Sequence, residues 1–345
     1  MVLPRALVFG EALTDLVQGT PGQWKGYPGG APWNVARALS RLGVGCAFAG
    51  SVSMDSLGDE IVVQSEAAAL DMRFIQRVDR TPLVAIVPSS SPPKYFFAGD
   101  ADLFFDPDLM PEGWINQAEL CHFSCISLAR QPLADRLVKI AQQAKEAGKR
   151  ISYDPNWRNL MDGHYREHTF PTMTTLADMI KLSDEDLRHI YPGLTEHQAM
   201  DELRALNPQA HILFTRGEHG MILHTPDSQL DQPAIAVKVE DTVGAGDACM
   251  AGWLAAELLG MAEQLFETTL EYLKTRVQFD TPIGTFQVLQ HRAAKMYIDL
   301  ALSRSALMAA LATLDDTSLD AGARARLVSL AKWKAGDTAI KVANE

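Results

Sequence analysis

Short apolar runs alternate with longer amphipathic stretches from the N-terminus to about residue 260. The runs have the length of strands, and the stretches repeat their apolar residues at helical spacing. This alternation predicts an α/β protein with a doubly wound sheet whose faces are covered. We predict strands over residues 6–9, 84–87, 120–123, 151–153, 179–182, 212–215 and 221–223, and helices over 32–42, 57–70 and 133–147.

Two segments interrupt the alternation, residues 13–29 and 81–105, where β-type residues are punctuated by glycine and proline. We predict that they form a small sheet set apart from the main one. In an α/β enzyme such a sheet is a candidate lid over the site. The same strands are a candidate contact for a homodimer.

After residue 260 the pattern changes to helical periodicity, and no further strand is predicted. Helices are predicted over 262–279, 284–311 and 323–334, with a connector at 315–322. The predicted organisation is therefore an α/β domain over 1–260, followed by an all-helical C-terminal segment over 262–345.

Charge narrows the range of partners. The 345 residues include 31 lysines and arginines against 43 aspartates and glutamates, a net charge of −12. We therefore expect neither nucleic acid nor an anionic membrane as a partner. No apolar run approaches the roughly 18 residues that cross a bilayer, and the N-terminus lacks a signal-peptide pattern. With four scattered cysteines and no paired zinc motif, we expect a reduced, cytoplasmic protein.

The sequence DTVGAGDA at residues 241–248 lies directly before an apolar helical stretch. Gly244, Ala245 and Gly246 are small enough for several backbone N–H groups to converge on one anion, and a helix N-terminus adds positive potential there. Asp247 follows, where a carboxylate can take the proton of a hydroxyl that attacks a phosphoryl group. The alternative is a glycine turn whose acidic residue only caps the helix.

Two motifs resemble the signatures of one family. DTVGAGDA resembles the C-terminal signature of the ribokinase-like sugar kinases, the pfkB family, and GGAPWNVA at residues 29–36 resembles the N-terminal signature. The resemblance covers residues 1–260. It implies a ribokinase-like fold with a small β lid and ATP-dependent phosphorylation of a sugar hydroxyl. GGAPWNVA, DPNWR at residues 154–158 and the acidic run at 181–186 are most similar to fructokinase-like members.

The resemblance also implies a set of sugar-binding residues. Asp15 follows the first strand, on the side of the sheet where ligands bind, and would accept hydrogen bonds from sugar hydroxyls; the alternative is a turn aspartate. Gly29 and Gly30 would let the backbone approach the sugar, and Asn34 offers both a donor and an acceptor. Arg158 would meet a phosphate or a substrate oxygen, against the alternative of a surface arginine after a proline-fixed turn.

A second group of residues is expected on the nucleotide side. The family often has Asn-x-x-Glu where this chain has Ser183 and Asp186, a departure from a motif that organises Mg²⁺ and phosphate through water. Asp186 is the candidate metal ligand, and an acidic helix N-terminus is the alternative. The sequence TRGEHG resembles the turn in which Thr215, Gly217 and Gly220 would contact ATP. ATP and Mg²⁺ are therefore the expected cofactors.

The C-terminal segment resembles a different family, the acyl-CoA dehydrogenases, in their helical C-terminal domain. The similarity lies in EYLKTRVQF at residues 271–279 and PIGTFQVLQH at 282–291. It implies that Arg276, Gln278 and Phe279 match residues that contact FAD. The other flavin-binding domains of that family have no counterpart, so we do not expect FAD to bind. Because the segment replaces the family's adenine wall, a sugar-binding protein with impaired turnover is the alternative function.

Overall fold

The computed structural model describes residues 3–19, 22–88, 95–161, 163–234 and 244–315. Those residues contain a nine-stranded main sheet and a separate four-stranded sheet. In chain order their strands are β1 (Ala6–Phe9), β2 (Leu13–Gln18), β3 (Trp24–Gly29), β4 (Cys46–Ser53), β5 (Ile75–Val78), β6 (Val84–Val87), β7 (Phe96–Ala98), β8 (Leu120–Ser124), β9 (Arg150–Asp154), β10 (Met179–Ser183), β11 (His211–Thr215), β12 (Met221–His224) and β13 (Gln229–Gln232).

The main sheet has the order β13-β12-β11-β10-β9-β8-β1-β4-β5. Neighbouring strands from β11 to β5 are parallel, whereas β12 and β13 add an antiparallel edge. The chain starts in the middle of the sheet and builds outward in both directions, which is the doubly wound arrangement that the alternating pattern predicts. The predicted α/β fold class is confirmed.

Strands β4 and β5 were absent from the predicted elements. β4 has the sequence CAFAGSVS, and all of its residues are buried between β1 and β5. Alanine, glycine and serine have low β-propensity, so the segment shows no β-branched run. Its central place in the parallel sheet, and not its local pattern, makes it a strand.

The four-stranded sheet, hereafter the lid sheet, has the order β3-β2-β6-β7. β2 pairs antiparallel with β3 and parallel with β6, and β6 pairs antiparallel with β7. Because side chains alternate between the faces of a strand, Asp15, Ala85 and Phe97 share one face, and Leu16 and Ile86 share the other. The predicted second sheet is therefore present.

The helices of the described residues begin and end at well-defined caps in several cases. Asp55 accepts hydrogen bonds from the N–H groups of Leu57 and Gly58 at the start of the second helix. The predicted helices over 32–42, 57–70 and 133–147 correspond to the first, second and fourth. In chain order they are α1 (Ala31–Arg41), α2 (Ser56–Ala67), α3 (Trp114–Gln117), α4 (Leu133–Glu146), α5 (Phe170–Leu176), α6 (Asp184–Ile190), α7 (Glu196–Leu206), α8 (Ala245–Thr275) and α9 (Gln287–Asp315).

The chain divides into two compact units. One comprises Met1–Ala36 and Cys46–Asp247, and the other comprises Arg37–Gly45 and Ala248–Glu345. The first unit contains both sheets, and its apolar core is built on the main sheet. Within that core the rings of Phe9 on β1 and Phe123 on β8 stack with centroids 4.9 Å apart.

The C-terminal unit departs from the prediction in two places. α8 runs without interruption through Gly260 to Thr275, so the predicted helix start at residue 262 is wrong. A hairpin of β14 (Val277–Gln278) and β15 (Thr281–Pro282) then joins α8 to α9, where no strand was predicted. The intervening Phe279 and Asp280 both have positive φ, the conformation that two-residue hairpin turns require.

The rest of the C-terminal prediction is only partly covered by the described residues. α9 corresponds to the helix predicted over 284–311. The predicted helix over 323–334 and all but the first residue of the connector over 315–322 lie outside the described residues. Among the described helices, none is both long and apolar enough to cross a membrane.

Candidate active site

Strands β1, β8, β9, β10 and β11 run parallel, so their carboxyl ends meet at one edge of the main sheet. Ligands bind at this edge in open α/β sheets. Polar residues stand where these strands end: Glu11 just after β1, Asp154 at the end of β9, Ser183 at the end of β10 and Thr215 at the end of β11. The topology therefore brings together motifs that are far apart in the sequence.

One cavity draws its walls from this edge, from the lid sheet and from the turn before α8. Of the predicted sugar-binding residues, four reach it: Asp15, Gly30, Asn34 and Arg158. Gly29 lies beside it, and a Cβ atom there would stand 2.3 Å from Asp15 Oδ2. The lining residues are Glu11, Leu13, Asp15, Gly30, Ala31, Asn34, Tyr95, Phe97, Cys125, Ile126, Arg158, Gly244 and Asp247.

The Asp247 carboxylate is buried and held in place by Asn34. Asn34 Nδ2 donates a hydrogen bond of 3.0 Å to Asp247 Oδ2. Burial raises the pKa of Asp247, whereas this hydrogen bond and the positive charges of Lys181 and Arg158 lower it. A carboxylate with a raised pKa is a stronger proton acceptor than an exposed aspartate.

The predicted anion hole lies at the N-terminus of α8. Gly244 has a φ of +77°, in the left-handed region that favours glycine, and α8 begins at Ala245. Backbone N–H groups at a helix start have no partner within the helix and offer hydrogen bonds to an anion. Residues 241–243 of the same motif lie outside the described residues.

Asp15 and Arg158 carry opposite charges and interact attractively in the cavity. Burial raises the pKa of Asp15 to about 6, the Arg158 charge opposes this, and Asp247 adds to it. Arg158 Nη1 donates to the carbonyl oxygen of Asn156 over 3.2 Å and to its Oδ1 over 2.8 Å. The guanidinium also lies over the Tyr95 ring, 5.1 Å from its centre. Arg158 is therefore a fixed part of the cavity wall and not a surface arginine.

Asp186 joins the acidic run to the turn that carries Arg158. Its Oδ2 accepts from the Ser183 N–H and Oγ, both over 2.7 Å, and Ser183 Oγ accepts from the Asp186 N–H over 3.1 Å. This is a capping box for α6. Asp186 Oδ1 accepts from the Trp157 N–H over 2.7 Å. The Asp186 side chain therefore caps α6, and in addition it anchors the neighbouring turn.

The predicted ATP-contacting turn follows β11. Thr215 pairs with Ser183 across the parallel ladder between β11 and β10. Gly217 and Gly220 have φ values of +53° and +83°, and a Cβ atom on Gly220 would lie 2.2 Å from the Gln232 carbonyl oxygen. None of these residues lines the cavity described above, so they lie along the same sheet edge but outside that cavity.

Sequence reasoning missed several residues of the cavity. Glu11 is buried, and burial raises its pKa to about 7. Ser127 donates to its Oε2 from both the backbone N–H and the hydroxyl. Tyr95 and Phe97 form an aromatic wall with stacked rings 6.1 Å apart. Cys125, which has a positive φ, also belongs to the lining. Of these residues, only Glu11 had a signal in the sequence, because it is a carboxylate that closely follows an apolar strand.

The described residues offer no ready-made metal cage. No group of three or more His, Cys, Asp or Glu side chains among them is placed to hold a metal ion. Both oxygens of Asp186 already accept hydrogen bonds. Mg²⁺ commonly takes one or two carboxylates and completes its shell with substrate phosphates and water, so Asp186 would act on such an ion from outside its first shell.

The residues that match the flavin-contacting positions of acyl-CoA dehydrogenases lie at the hairpin after α8. Arg276 and Gln278 are exposed, and Phe279 at its tip is 88% exposed. The Phe279 ring contacts Phe286 edge-on, with centroids 6.2 Å apart.

A doubly wound sheet, a small second sheet and a buried carboxylate beside a helix N-terminus define the class of ribokinase-like phosphotransferases. The profile of the pfkB family carbohydrate kinases matches residues 4–264. The chain belongs to this family, and it is a carbohydrate kinase. A second profile, that of the acyl-CoA dehydrogenase C-terminal domain, matches residues 250–345, which confirms the resemblance of the C-terminal segment.

Individual relatives of the chain are fructokinases. The chain is 32% identical to a probable chloroplastic fructokinase, fructokinase-6, of Arabidopsis thaliana, over 73% of this chain and 70% of that protein. It is 30% identical to a fructokinase of Klebsiella pneumoniae, over 72% of this chain and 82% of the relative.

Among solved structures, a fructokinase with bound ATP from Xylella fastidiosa superposes with a TM-score of 0.65 and 27% identity, covering 72% of this chain and 80% of that one. A Vibrio cholerae fructokinase, solved with fructose, ADP and calcium ion, gives a TM-score of 0.65 and 28% identity, covering 73% and 83%. The predicted ribokinase-like fold is thereby confirmed.

Proposed function

We propose that this carbohydrate kinase transfers the terminal phosphoryl group of ATP to a hydroxyl of a fructose-like sugar, with Asp247 as the general base. One observation carries the proposal: the buried Asp247 carboxylate shares a cavity with Asp15, Asn34 and Arg158 and stands at the N-terminus of α8. In-line phosphoryl transfer needs a site that holds the attacking hydroxyl, a group that accepts its proton, and a turn that binds the anionic phosphoryl group.

The reaction follows from this arrangement. Asp247 takes the proton of the sugar hydroxyl as its oxygen bonds to the γ-phosphorus. The bond between that phosphorus and the bridging oxygen breaks, and ADP leaves with the electron pair. Backbone N–H groups of residues 244–246 at the start of α8 stabilise the charge that develops on the transferred group.

The cavity lining supports a polyhydroxylated substrate. Asp15 accepts hydrogen bonds from sugar hydroxyls, Asn34 both donates and accepts, and Gly29 and Gly30 leave the backbone open to close approach. Tyr95 and Phe97 provide an apolar wall for the carbon face of the sugar. The Vibrio cholerae relative was solved with fructose and ADP, which supports fructose as the first sugar to test.

We propose that ATP binds as its Mg²⁺ complex along the segment from Ser183 to Gly220. Thr215, Gly217 and Gly220 would contact its phosphates and ribose, and Asp186 would hold the ion through water, because its own oxygens are engaged in hydrogen bonds. When bound, the ion would neutralise negative charge on the phosphates.

A homodimer through the lid sheet is the proposed assembly. The face that carries Leu16 and Ile86 also carries Trp24 and Phe96, whose side chains are 46% and 57% exposed. Contiguous exposed apolar side chains on a sheet commonly mark a protein contact. Sedimentation equilibrium of the wild type and of Phe96→Lys tests this: a dimer weakened by the charge supports the contact, and a monomeric wild type refutes it.

The proposed reaction is tested by coupled measurement of ADP formation over a panel of sugars, with the phosphorylated product identified by mass spectrometry. Fructose and 2-keto-3-deoxygluconate are included because they present similar hydroxyl patterns. We expect ADP and sugar phosphate in equal amounts with at least one member. Hydrolysis of ATP without a phosphorylated sugar, or no turnover at all, would refute the proposal.

A further inference from the structure

Lys181 is a charged residue in the middle of the main sheet. It lies on β10 and is only 4% exposed, and its Nζ forms a 2.8 Å ion pair with Asp154 Oδ2 on the neighbouring β9. Burying two charges removes them from water at considerable cost, and a buried pair is therefore weak evidence for stability alone. The position of this pair relative to the site supplies another reason for its presence.

The ammonium group of Lys181 lies next to the anion-binding turn. A Cβ atom on Gly246 would stand 3.4 Å from Lys181 Nζ, which places the ammonium group beside the first turn of α8. On its other side Lys181 holds Asp154, the first residue of the turn that continues to Arg158. One buried cation is therefore bonded to Asp154 and lies close to Gly246, so it is near both segments that frame Asp247.

We propose that Lys181 is a positioning residue for phosphoryl transfer, which ties the Asp154 turn to β10 and keeps a fixed positive charge beside the Gly246 turn and Asp247. This inference rests on the proposed function. Lys181 does not line the cavity, so its effect on the sugar is indirect.

The charges around Asp247 give the proposal a measurable consequence. Lys181 and Arg158 lower the pKa of Asp247, together with the hydrogen bond from Asn34. Two negative groups, Asp15 and Asp154, interact repulsively with the Asp247 carboxylate. Removing the Lys181 charge therefore raises the pKa of Asp247. Since the base works ionised, activity at low pH falls more than activity at high pH.

The test compares the pH profiles of kcat/KM for wild type, Lys181→Met and Lys145→Met. Lys145 is the matched control, because it forms a 2.8 Å ion pair with Asp178 and is not among the cavity residues. For Lys181→Met we expect kcat/KM at pH 6 to fall by about tenfold or more. The pH at which kcat/KM falls off on the acid side should be about one pH unit higher than in the wild type, the usual effect of one nearby charge. The KM for sugar should change less than about threefold in the same variant, since no direct contact is lost. Lys145→Met should match the wild type.

A structural role alone would give a different result. Lys181→Met would then lower kcat/KM equally at all pH values, and that outcome, or an unchanged kcat/KM, overturns the proposal. Because an unpaired Asp154 could prevent folding, Lys181→Met/Asp154→Asn is measured as well. Because both charges are absent in the double variant, the acid side of its kcat/KM profile should return towards the wild-type pH, while kcat stays low. A wild-type kcat in this variant would overturn the proposal. An inactive wild type would instead refute the proposed function itself.

Discussion

Burial decides how the carboxylates of the site titrate. Glu11, Asp15 and Asp154 all have raised pKa values, about 7, 6 and 6, because each loses most of its hydration. Nearby cations offset this only in part: Arg158 for Asp15, and Lys181 for Asp154. These residues therefore change charge in a pH range where exposed carboxylates are already ionised.

Glu11 makes folding stability depend on pH in a predictable direction. Its pKa rises from 4.5 to about 7 on folding, so between these values the folded state binds a proton that the unfolded state does not. Stability attributable to Glu11 therefore falls as the pH rises through that range. Glu11→Gln removes the titration, and the Tm of this variant relative to wild type should increase from pH 5 to pH 8. The exposed Glu60→Gln is the control; equal pH dependence in wild type and Glu11→Gln would contradict the prediction.

Asp15 and Asn34 are predicted to bind sugar and not nucleotide. Asp15→Ala and Asn34→Ala should each weaken sugar binding by roughly 1–3 kcal/mol, the usual result of leaving a buried hydrogen-bonding group unpaired. Affinity for the nucleotide should persist. Calorimetric titration with fructose and, separately, with an ATP analogue measures both, with the exposed Asp201→Ala as control. Equal loss of both affinities would indicate general damage instead.

Sugar binding should also depend on pH through Asp15. The ionised carboxylate accepts hydrogen bonds from hydroxyl groups, and its pKa of about 6 places the change within the accessible range. We expect fructose affinity to fall as the pH drops from 7 to 5, and to fall less in Asp15→Asn. A pH-independent affinity in the wild type would count against this role.

Among the elements, strands with a clear apolar run could be predicted, and those defined by tertiary context could not. β1 and β6 have the predicted bounds. β4 is composed largely of small residues, and only its place in the sheet makes it a strand. The hairpin after α8 depends on the left-handed backbone of Phe279 and Asp280, a conformation in which aspartate is enriched but phenylalanine is uncommon.

The two capping boxes provide a matched comparison. Asp186 is the third residue of α6 and Gln198 the third residue of α7, and each completes a capping box. Gln198→Ala should cost about 1 kcal/mol of stability, the usual net contribution of a hydrogen bond, and Asp186→Ala should cost more, because its buried carboxylate accepts three. Only Asp186→Ala also releases the Trp157 N–H, so only this variant should raise the KM for ATP. If thermal unfolding and kinetics show the same KM in both variants, Asp186 has no role beyond the helix cap.

At the scale of the whole molecule, the sequence motifs predicted several residues that meet in the cavity, but not the other residues that line it. DTVGAGDA, GGAPWNVA and DPNWR identify Asp247, Asn34 and Arg158 because their spacing is typical of the family. Tyr95 and Cys125 enter the cavity only through the folding of the lid sheet and the turn after β8. Their side chains carry no signal in a single sequence, since aromatic residues and cysteines are also common in cores.

We predict that the C-terminal segment affects nucleotide affinity. The residues that line the sugar cavity all belong to the unit of Met1–Ala36 and Cys46–Asp247, whereas sugar kinases are expected to use their C-terminal helices to wall the adenine. Replacing residues 262–345 with the corresponding segment of a fructokinase should lower the KM for ATP and leave sugar affinity unchanged. Steady-state kinetics of the two proteins tests this, and an unchanged KM for ATP would show that the present segment closes the nucleotide site.

The central claim is that Asp247 deprotonates the sugar hydroxyl, and its most direct test is the turnover of Asp247→Asn. This variant retains the volume of the side chain, so sugar binding should survive, while the rate of ADP formation should fall by about 100-fold or more, the usual scale for loss of a general base. The exposed Asp201→Asn should keep the wild-type rate. A normal rate in Asp247→Asn, with fructose bound as in the wild type, would contradict the account.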